Sequence, residues 1–458
     1  MDRSIDVMQP SLNPPPECSR LPAPLSIRVE RVLLLAPPVY DSRLHWADWQ
    51  QPTGLLRLST VLRARGAEVR LLNALEVEPG RRLRRQKVDL LNLDGQEVVR
   101  WRYGRAQKEL ERTLRTLAEG SWHPELVVVE CLTTFWWEGA AEAIRSIRSV
   151  FPHARVALIG AYAALAPEHA REHSGADDVI ETPLTGLSAL AADLSLLAGP
   201  RSTYISLDGG RRTSGDIADE IRDACGYGVA RLAFTELIAG PAAERLADVL
   251  EEVLQRGIRV RMHALGNVRP SDLLAHPELP ALMRRGGFSQ ICFADDRDQP
   301  ADGSATDELV SSYHRAAELC HLGGFPTRTE CLVGAVSLGR PGEDLEERAR
   351  AATLVSHAIG AVIVWPYQPA PSELPPSVPL EMQNGKLFPF RQHAGHTYRD
   401  YLHVLGLGVV LNAKYRDHTF DFLGDSMIAR LFRDSIARDS WIAHESIKGP
   451  VQLPVLRR

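Results

Sequence analysis

Short apolar runs alternate with longer stretches of helical spacing along residues 29–195. Arg31-Val-Leu-Leu-Leu-Ala36, Glu68-Val-Arg-Leu-Leu72, Leu126-Val-Val-Val129, Val156-Ala-Leu-Ile159 and Asp178-Val-Ile180 are continuous or nearly so. That is the pattern of parallel strands covered on both faces, since a strand with one wet face would alternate. Residues 53–65 carry helical spacing and stop at Gly66, and residues 138–150 and about 105–119 also predict helices. Residues 77–105 are basic and broken up, which predicts an exposed excursion. Strands alternating with helices define βαβ units with right-handed crossovers. The prediction is an α/β fold whose first domain, 29–195, is an open Rossmann-type sheet. Ligands of such sheets lie beyond the strand carboxyl ends, here Pro37–His45, Cys131–Trp137, Gly160–Ala164 and Glu181–Gly186.

A second α/β series follows over 196–380, with candidate strands Thr203–Ser206, Val229–Phe234, Ile258–Arg261, Gln290–Phe293, Thr327–Val333 and Ala361–Trp365. Helices are expected at 243–255, 305–321 and 343–358. Successive βα units predict a partial (β/α) barrel with its site at the strand carboxyl ends. Residues 366–380 are Pro-rich and predict a loop, and 381–458 a mixed helical extension. Residues 1–28 are polar and Pro-rich without a basic-then-apolar pattern, which predicts a disordered arm and no secretory signal.

The chain has 458 residues, 44% of them apolar and 24% charged, as in ordinary globular proteins of several domains. Its net charge of −5 argues against a general nucleic-acid binder. No apolar run is long enough to span a membrane, and the expected location is the cytoplasm. Cysteines stand at 18, 131, 225, 292, 320 and 331, none closer than eleven residues to the next. This spacing excludes a CxxC zinc ribbon or thioredoxin-like motif. Small buried hydrophobes are the expectation.

Several segments resemble the cobalamin-binding domain of cobalamin-dependent radical SAM proteins: Leu35-Ala-Pro-Pro-Val-Tyr-Asp41, Thr133-Thr-Phe-Trp-Trp-Glu-Gly139, Gly160–His169 and His173-Ser-Gly-Ala-Asp177. Arg285–Phe288, Leu322–Phe325, Gly339–Glu343 and Tyr367–Pro371 are similar to later strands of the radical SAM barrel. Asn384–Pro389 and Thr419–Leu423 are similar to its C-terminal extension. The resemblance implies cobalamin as cofactor and leaves room for S-adenosylmethionine. It also exposes a departure. The family's CxxxCxxC motif supplies three thiolates to a [4Fe–4S] cluster, each iron needing a soft anionic ligand. The corresponding stretch, Ser206–Asp216, has no cysteine. No cluster and no radical chemistry of the usual kind are therefore expected.

The cofactor residues implied are Pro37, Pro38, Val39, Tyr40, Asp41, Thr133, Thr134, Phe135, Trp136, Trp137, Gly160, Ala161, Tyr162, Thr182 and Gly186. Their loops are rich in Pro, Gly, Thr and aromatics, which suits a broad, mostly apolar ligand fringed with amides. Trp136 and Trp137 read either as a wall for that ligand or as interface aromatics. No DxHxxG motif is present to ligate cobalt. His45 reads as a solvated loop residue or a ligand. His169 and His173 share a helix face at i, i+4, but no metal site is expected of them. Gly209-Gly210-Arg211-Arg212 reads as an anion loop or as a plain turn. Glu236, His263, Asp295, Asp296 and Glu330 belong to barrel strands or their ends. They read as contacts for a substrate or S-adenosylmethionine, or, for the acids, as helix caps.

Two functions compete at this point. One is an enzyme moving a methyl group by polar, non-radical chemistry, with a small-molecule substrate between the domains. The other is a non-catalytic cobalamin- or ligand-binding relative that partners an intact enzyme. Neither involves nucleic acid or membrane.

Overall fold

The computed structural model describes residues 21–42, 51–76, 83–182, 184–199, 202–207, 211–295, 303–326, 331–392 and 395–412. The fold is α/β with parallel sheets. In chain order the first part comprises α1 (Ala23–Ser26), β1 (Arg31–Ala36), β2 (Val39–Asp41), α2 (Thr53–Ala64), β3 (Glu68–Asn73), β4 (Arg85–Leu93), β5 (Gln96–Tyr103) and α3 (Gln107–Glu119). It continues with β6 (Leu126–Glu130), α4 (Trp137–Val150), β7 (Arg155–Ile159), α5 (Ala161–Leu165), α6 (Pro167–His173) and β8 (Asp178–Val179).

Strands pair in the order β3-β1-β6-β7-β8, all parallel. Side chains alternate across a strand, so each apolar run feeds two layers. Leu33, Leu35, Val127, Val129, Val156 and Leu158 join Leu110 and Leu114 of α3 and Ile144 and Ile147 of α4. Val32, Leu34, Leu126, Val128, Ala157 and Ile159 join Leu55, Leu58 and Val61 of α2. Leu21 and Leu25 enter the second layer, Leu25 fully buried, so the expected arm is part of the fold from residue 21. Residues 1–20 lie outside the described residues.

Helix α4 approaches the sheet closely at Gly139, where a Cβ would lie 1.8 Å from the Pro38 carbonyl oxygen. Backbone cannot swing aside as a side-chain tip can. Gly139→Ala is expected to cost about 1–3 kcal/mol through overpacking. A urea midpoint unchanged from wild type would refute this.

The basic excursion is ordered. Strands β4 and β5 form a hairpin, and β5 also pairs with β2 to give a three-stranded antiparallel sheet, β2-β5-β4. Asp94 (φ 53°) and Gly95 (φ 84°) are both left-handed. Together they make the two-residue turn whose twist matches the flanking strands. Two of its arginines are buried and paired. Arg102 meets Glu142 of α4 at 2.6 Å, and Arg100 meets Glu138 of α4 at 2.5 Å and Asp89 at 2.9 Å.

The second part comprises β9 (Ser202–Ile205), α7 (Ser214–Gly226), β10 (Arg231–Phe234), α8 (Pro241–Gln255), β11 (Arg261–Val268), α9 (Pro270–Ala275), α10 (Leu279–Gly286) and β12 (Phe288–Phe293). Then follow α11 (Gly303–Leu322), β13 (Leu332–Leu338), α12 (Leu345–Ile359), β14 (Val362–Pro366) and α13 (Tyr398–Leu411). The six strands form one parallel sheet in sequential order, β14-β13-β12-β11-β10-β9. The strand expected at Ile258–Arg261 starts only at Arg261. Ile258 instead closes the end of α8, its N–H donating to the Val253 carbonyl at 3.0 Å after the left-handed Gly257. Such a closure satisfies carbonyls that a helix end leaves open.

From the carboxyl end of β14 the chain runs back as a strap of short 3-10 turns, Pro371–Glu373, Leu380–Met382 and Gly385–Leu387. Its tip is fixed to both sheets. Gly385 presses on the Tyr367 carbonyl, where a Cβ would lie 2.1 Å from the oxygen, and Phe388 lies against Gly339 after β13. Asn384 and Lys386 reach Asp41 beside the first sheet. Residues 413–458, with Thr419–Leu423, lie outside the described residues.

Candidate functional site

The strand order of the first sheet reverses at β1, with β3 on one side and β6 on the other. At such a point the connections leave on opposite faces and open a crevice beyond the carboxyl ends. The crevice here is lined by Pro37, Pro38, Pro52, Glu130, Leu132 and Trp136, with a volume of about 20 Å3. That holds one water-sized group.

Glu130 is the polar centre of the crevice. Its carboxylate accepts the Leu55 N–H in the first turn of α2. Oε1 lies against Gly54, where a Cβ would come within 2.0 Å of it, so only glycine leaves room. Oε2 is buried and has no hydrogen-bond partner among the described residues. Burial pushes the carboxyl up to about 7, against the opposing pull of the Leu55 N–H and Arg57. Thr133 Oγ1 is likewise buried without a partner among the described residues. Cys131 next door is inert, its thiol pushed up to about 12 by burial.

Most other candidate cofactor residues are engaged inside the chain. Asp41, 1% exposed, accepts from Trp136 Nε1 at 3.0 Å and Asn384 Nδ2 at 2.9 Å, and pairs with Lys386 Nζ at 2.5 Å. Tyr40 donates to Glu142 at 2.6 Å, and Val39 pairs with Tyr103 in the small sheet. Trp137 donates to Glu381 at 3.2 Å and packs edge-on against His169. Trp137 thus faces the strap, while Trp136 lines the crevice and meets Asp41. Phe135, Thr134 and Tyr162 are buried, and Tyr162 Oη lies 2.8 Å from His169 Nδ1. Gly160 is left-handed at φ 97° and, with Ala161, starts α5. Thr182 is exposed and Gly186 half-buried on the far loop. His45 lies outside the described residues.

In the second sheet Glu236 and Asp295 brace neighbouring strands. Glu236, after β10, accepts from Ser206 and from the Leu207 N–H at 2.8 Å, tying it to the end of β9. Asp295, after β12, accepts the Ser337 N–H of β13 at 2.8 Å. His263 lies within β11, fully buried. Burial, with Arg231 and Arg261 nearby, pushes it down to about 3, so it is neutral at physiological pH. Asp296 and Glu330 lie outside the described residues, as do Gly209 and Gly210. Arg212 is buried and neutralised by Glu220 at 2.6 Å, which removes it from any anion loop.

Cys292 and Cys320 are buried thiols, each pushed up to about 12. Among the described residues no group of three or more His, Cys, Asp or Glu side chains is placed to hold a metal ion, His169 and His173 included. Among the same residues no helix is long and apolar enough to cross a membrane. Neither a family model nor a curated protein sequence matches the chain.

Proposed function

We propose that the protein binds a broad, mostly apolar organic ligand carrying amides at the carboxyl edge of its first sheet, and that this ligand is a cobalamin. The observation that carries the reading is the pair of orphaned buried oxygens, Glu130 Oε2 and Thr133 Oγ1, beside the point where the strand order reverses. Buried polar atoms are nearly always satisfied, and unsatisfied ones call for a partner. Leu132, after β6, and Leu165, at the end of α5, 40% and 57% exposed, add apolar surface on this side of the sheet. Amide fringes for the oxygens and an apolar body for the leucines are what a corrin offers. The likeness of Leu35–Asp41, Thr133–Gly139 and Gly160–His169 to the cobalamin-dependent radical SAM family supports the same choice.

In this reading the first sheet is a Rossmann-type cobalamin domain and the second a partial (β/α) barrel of the radical SAM type. A bound cobalamin would supply methyl-transfer chemistry. The chain's own contribution is to seat the ligand, wall it with Pro37, Pro38 and Leu132, and exclude water. Ser206–Asp216 offers no thiolate for a cluster, so the proposed chemistry is non-radical, on a small-molecule substrate in the cytoplasm. A second reading, a non-catalytic binder that partners an intact enzyme, is favoured by one observation. Glu236 and Asp295 are spent on bracing strands, which suits a scaffold.

The test is to produce the protein with hydroxocobalamin and record its visible spectrum and cobalt content after gel filtration. Retention near one cobalt per chain is expected. A folded protein that emerges colourless at micromolar concentration overturns the proposal. Incubating the loaded protein with S-adenosylmethionine and reductant then separates the two readings. S-adenosylhomocysteine marks transfer, 5′-deoxyadenosine refutes the non-radical assignment, and neither product leaves the binder.

A further inference from the structure

The crevice between β1 and β6 is small, and its chemistry specifies which part of a ligand enters it. We propose that it is a receptor for one primary amide or ammonium group, held by Glu130 Oε2. The inference rests on the reading of this edge as a ligand site and adds the functional group it recognises.

Size is the first argument. About 20 Å3 admits the terminal group of a side arm and not a ring. Polarity is the second. Oε1 faces Gly54, and the carboxylate accepts the Leu55 N–H, which fixes the plane of the group and leaves Oε2 as a buried acceptor. A carboxylate oxygen accepts and, when ionised, cannot donate. The wall is the third. Pro37, Pro38 and Pro52 line the crevice and have no N–H to offer that oxygen. Gln51 and Asn73, also in the lining, carry side-chain amides, but neither is hydrogen-bonded to Oε2. In its ionised form Oε2 thus stands without a donor among the described residues, and an incoming group presenting N–H with a compact head fits the space. A ligand carboxylate would instead place like charge against Glu130. An incoming N–H donor favours the ionised carboxylate and opposes the burial that disfavours it. The ammonium form does so most strongly.

The experiment uses the full chain, with propionamide, n-propylammonium and propionate as probes at millimolar concentration. The Glu130 carboxyl resonance is followed by NMR through a pH titration and assigned with Glu130→Gln. Propionamide and propylammonium are expected to bind and lower the Glu130 midpoint, the ammonium by about one pH unit, while propionate leaves it unchanged. Glu130→Gln replaces the acceptor with a donor of the same shape and is expected to weaken both at least tenfold. Protection of the Leu55 amide in the variant reports that α2 remains seated. Propionate binding as well as propionamide, or no movement with any probe because a water satisfies Oε2, overturns the proposal. Hydroxocobalamin separates this inference from the one beneath it. Retention by wild type and equally by Glu130→Gln refutes the receptor and keeps the cobalamin reading. Amide binding through Glu130 in a protein that retains no corrin keeps the receptor and refutes cobalamin.

Discussion

Glu142→Ala is expected to remove about 3–5 kcal/mol of stability, the range for a buried ion pair that loses one partner. The pair it breaks is Arg102–Glu142, joined by two hydrogen bonds at 2.8 and 2.6 Å, with the side chains only 7% and 4% exposed. Glu142 also accepts the Tyr40 hydroxyl, and burial together with that carboxylate holds the phenol well above its ordinary value. Alanine therefore strands a guanidinium and a hydroxyl at once, between α4 and the small sheet. Much of the cost is the penalty of the orphaned cation, so the double variant Arg102→Leu, Glu142→Leu should recover most of it. Urea unfolding followed by circular dichroism measures both. A loss below about 1 kcal/mol for Glu142→Ala, typical of an exposed pair, would show that water reaches this site.

Asp41→Ala is expected to cost about 3 kcal/mol and, unlike Glu142→Ala, to release one segment selectively. Asp41 alone gathers Trp136, Asn384 and Lys386. Without it the Lys386 ammonium, its side chain 19% exposed, loses the Asp41 carboxylate in a partly dry setting. Other ties of the strap to the first part of the chain include Trp137–Glu381, Arg391–Asp94 and the packing of Leu380 against the first core. Arg391 meets Asp94 at 2.6 Å and holds its carboxyl below the usual range. Amide exchange should therefore quicken at 380–388 while β6 and β7 stay protected. Equal acceleration in strand and strap would show that the segment unfolds only with the whole domain.

The strands of the first sheet were legible because both faces are buried, which writes each strand as an apolar run. The hairpin of β4 and β5 was not. Its arginines suggested a solvated excursion, yet Arg100 and Arg102 are paired with acids some 40 residues away, and sequence does not display such partners. A local signal was present all the same: Asp94-Gly95 between alternating residues is a strong hairpin turn. The loops named in the sequence do lie at strand carboxyl ends, and the contacts that several of their residues make within the chain are not written there. Asp41 and Trp136 read as ligand contacts in the sequence, and the structure bonds Trp136 to Asp41 and Asp41 to Asn384 and Lys386. Glu130 was overlooked, although a single acid ending the run Leu-Val-Val-Val is itself a signal, because a buried strand carries a charge only with a reason. The acids after β10 and β12 illustrate the reverse case. Their position in sequence is the same whether they hold a ligand or brace a neighbouring strand.

The strap also sets an order of events during synthesis. Asp41 and Lys386 are separated by 345 residues, which at roughly 5–20 residues per second amounts to about 20–70 s on the ribosome. During that interval the first sheet has its strands and helices but not the segment that closes its edge. Asp41 waits without Asn384 and Lys386, and Trp137 without Glu381. A nascent chain halted short of residue 380 would display that edge to chaperones. Ligand supplied during translation would meet the same edge before the strap arrives.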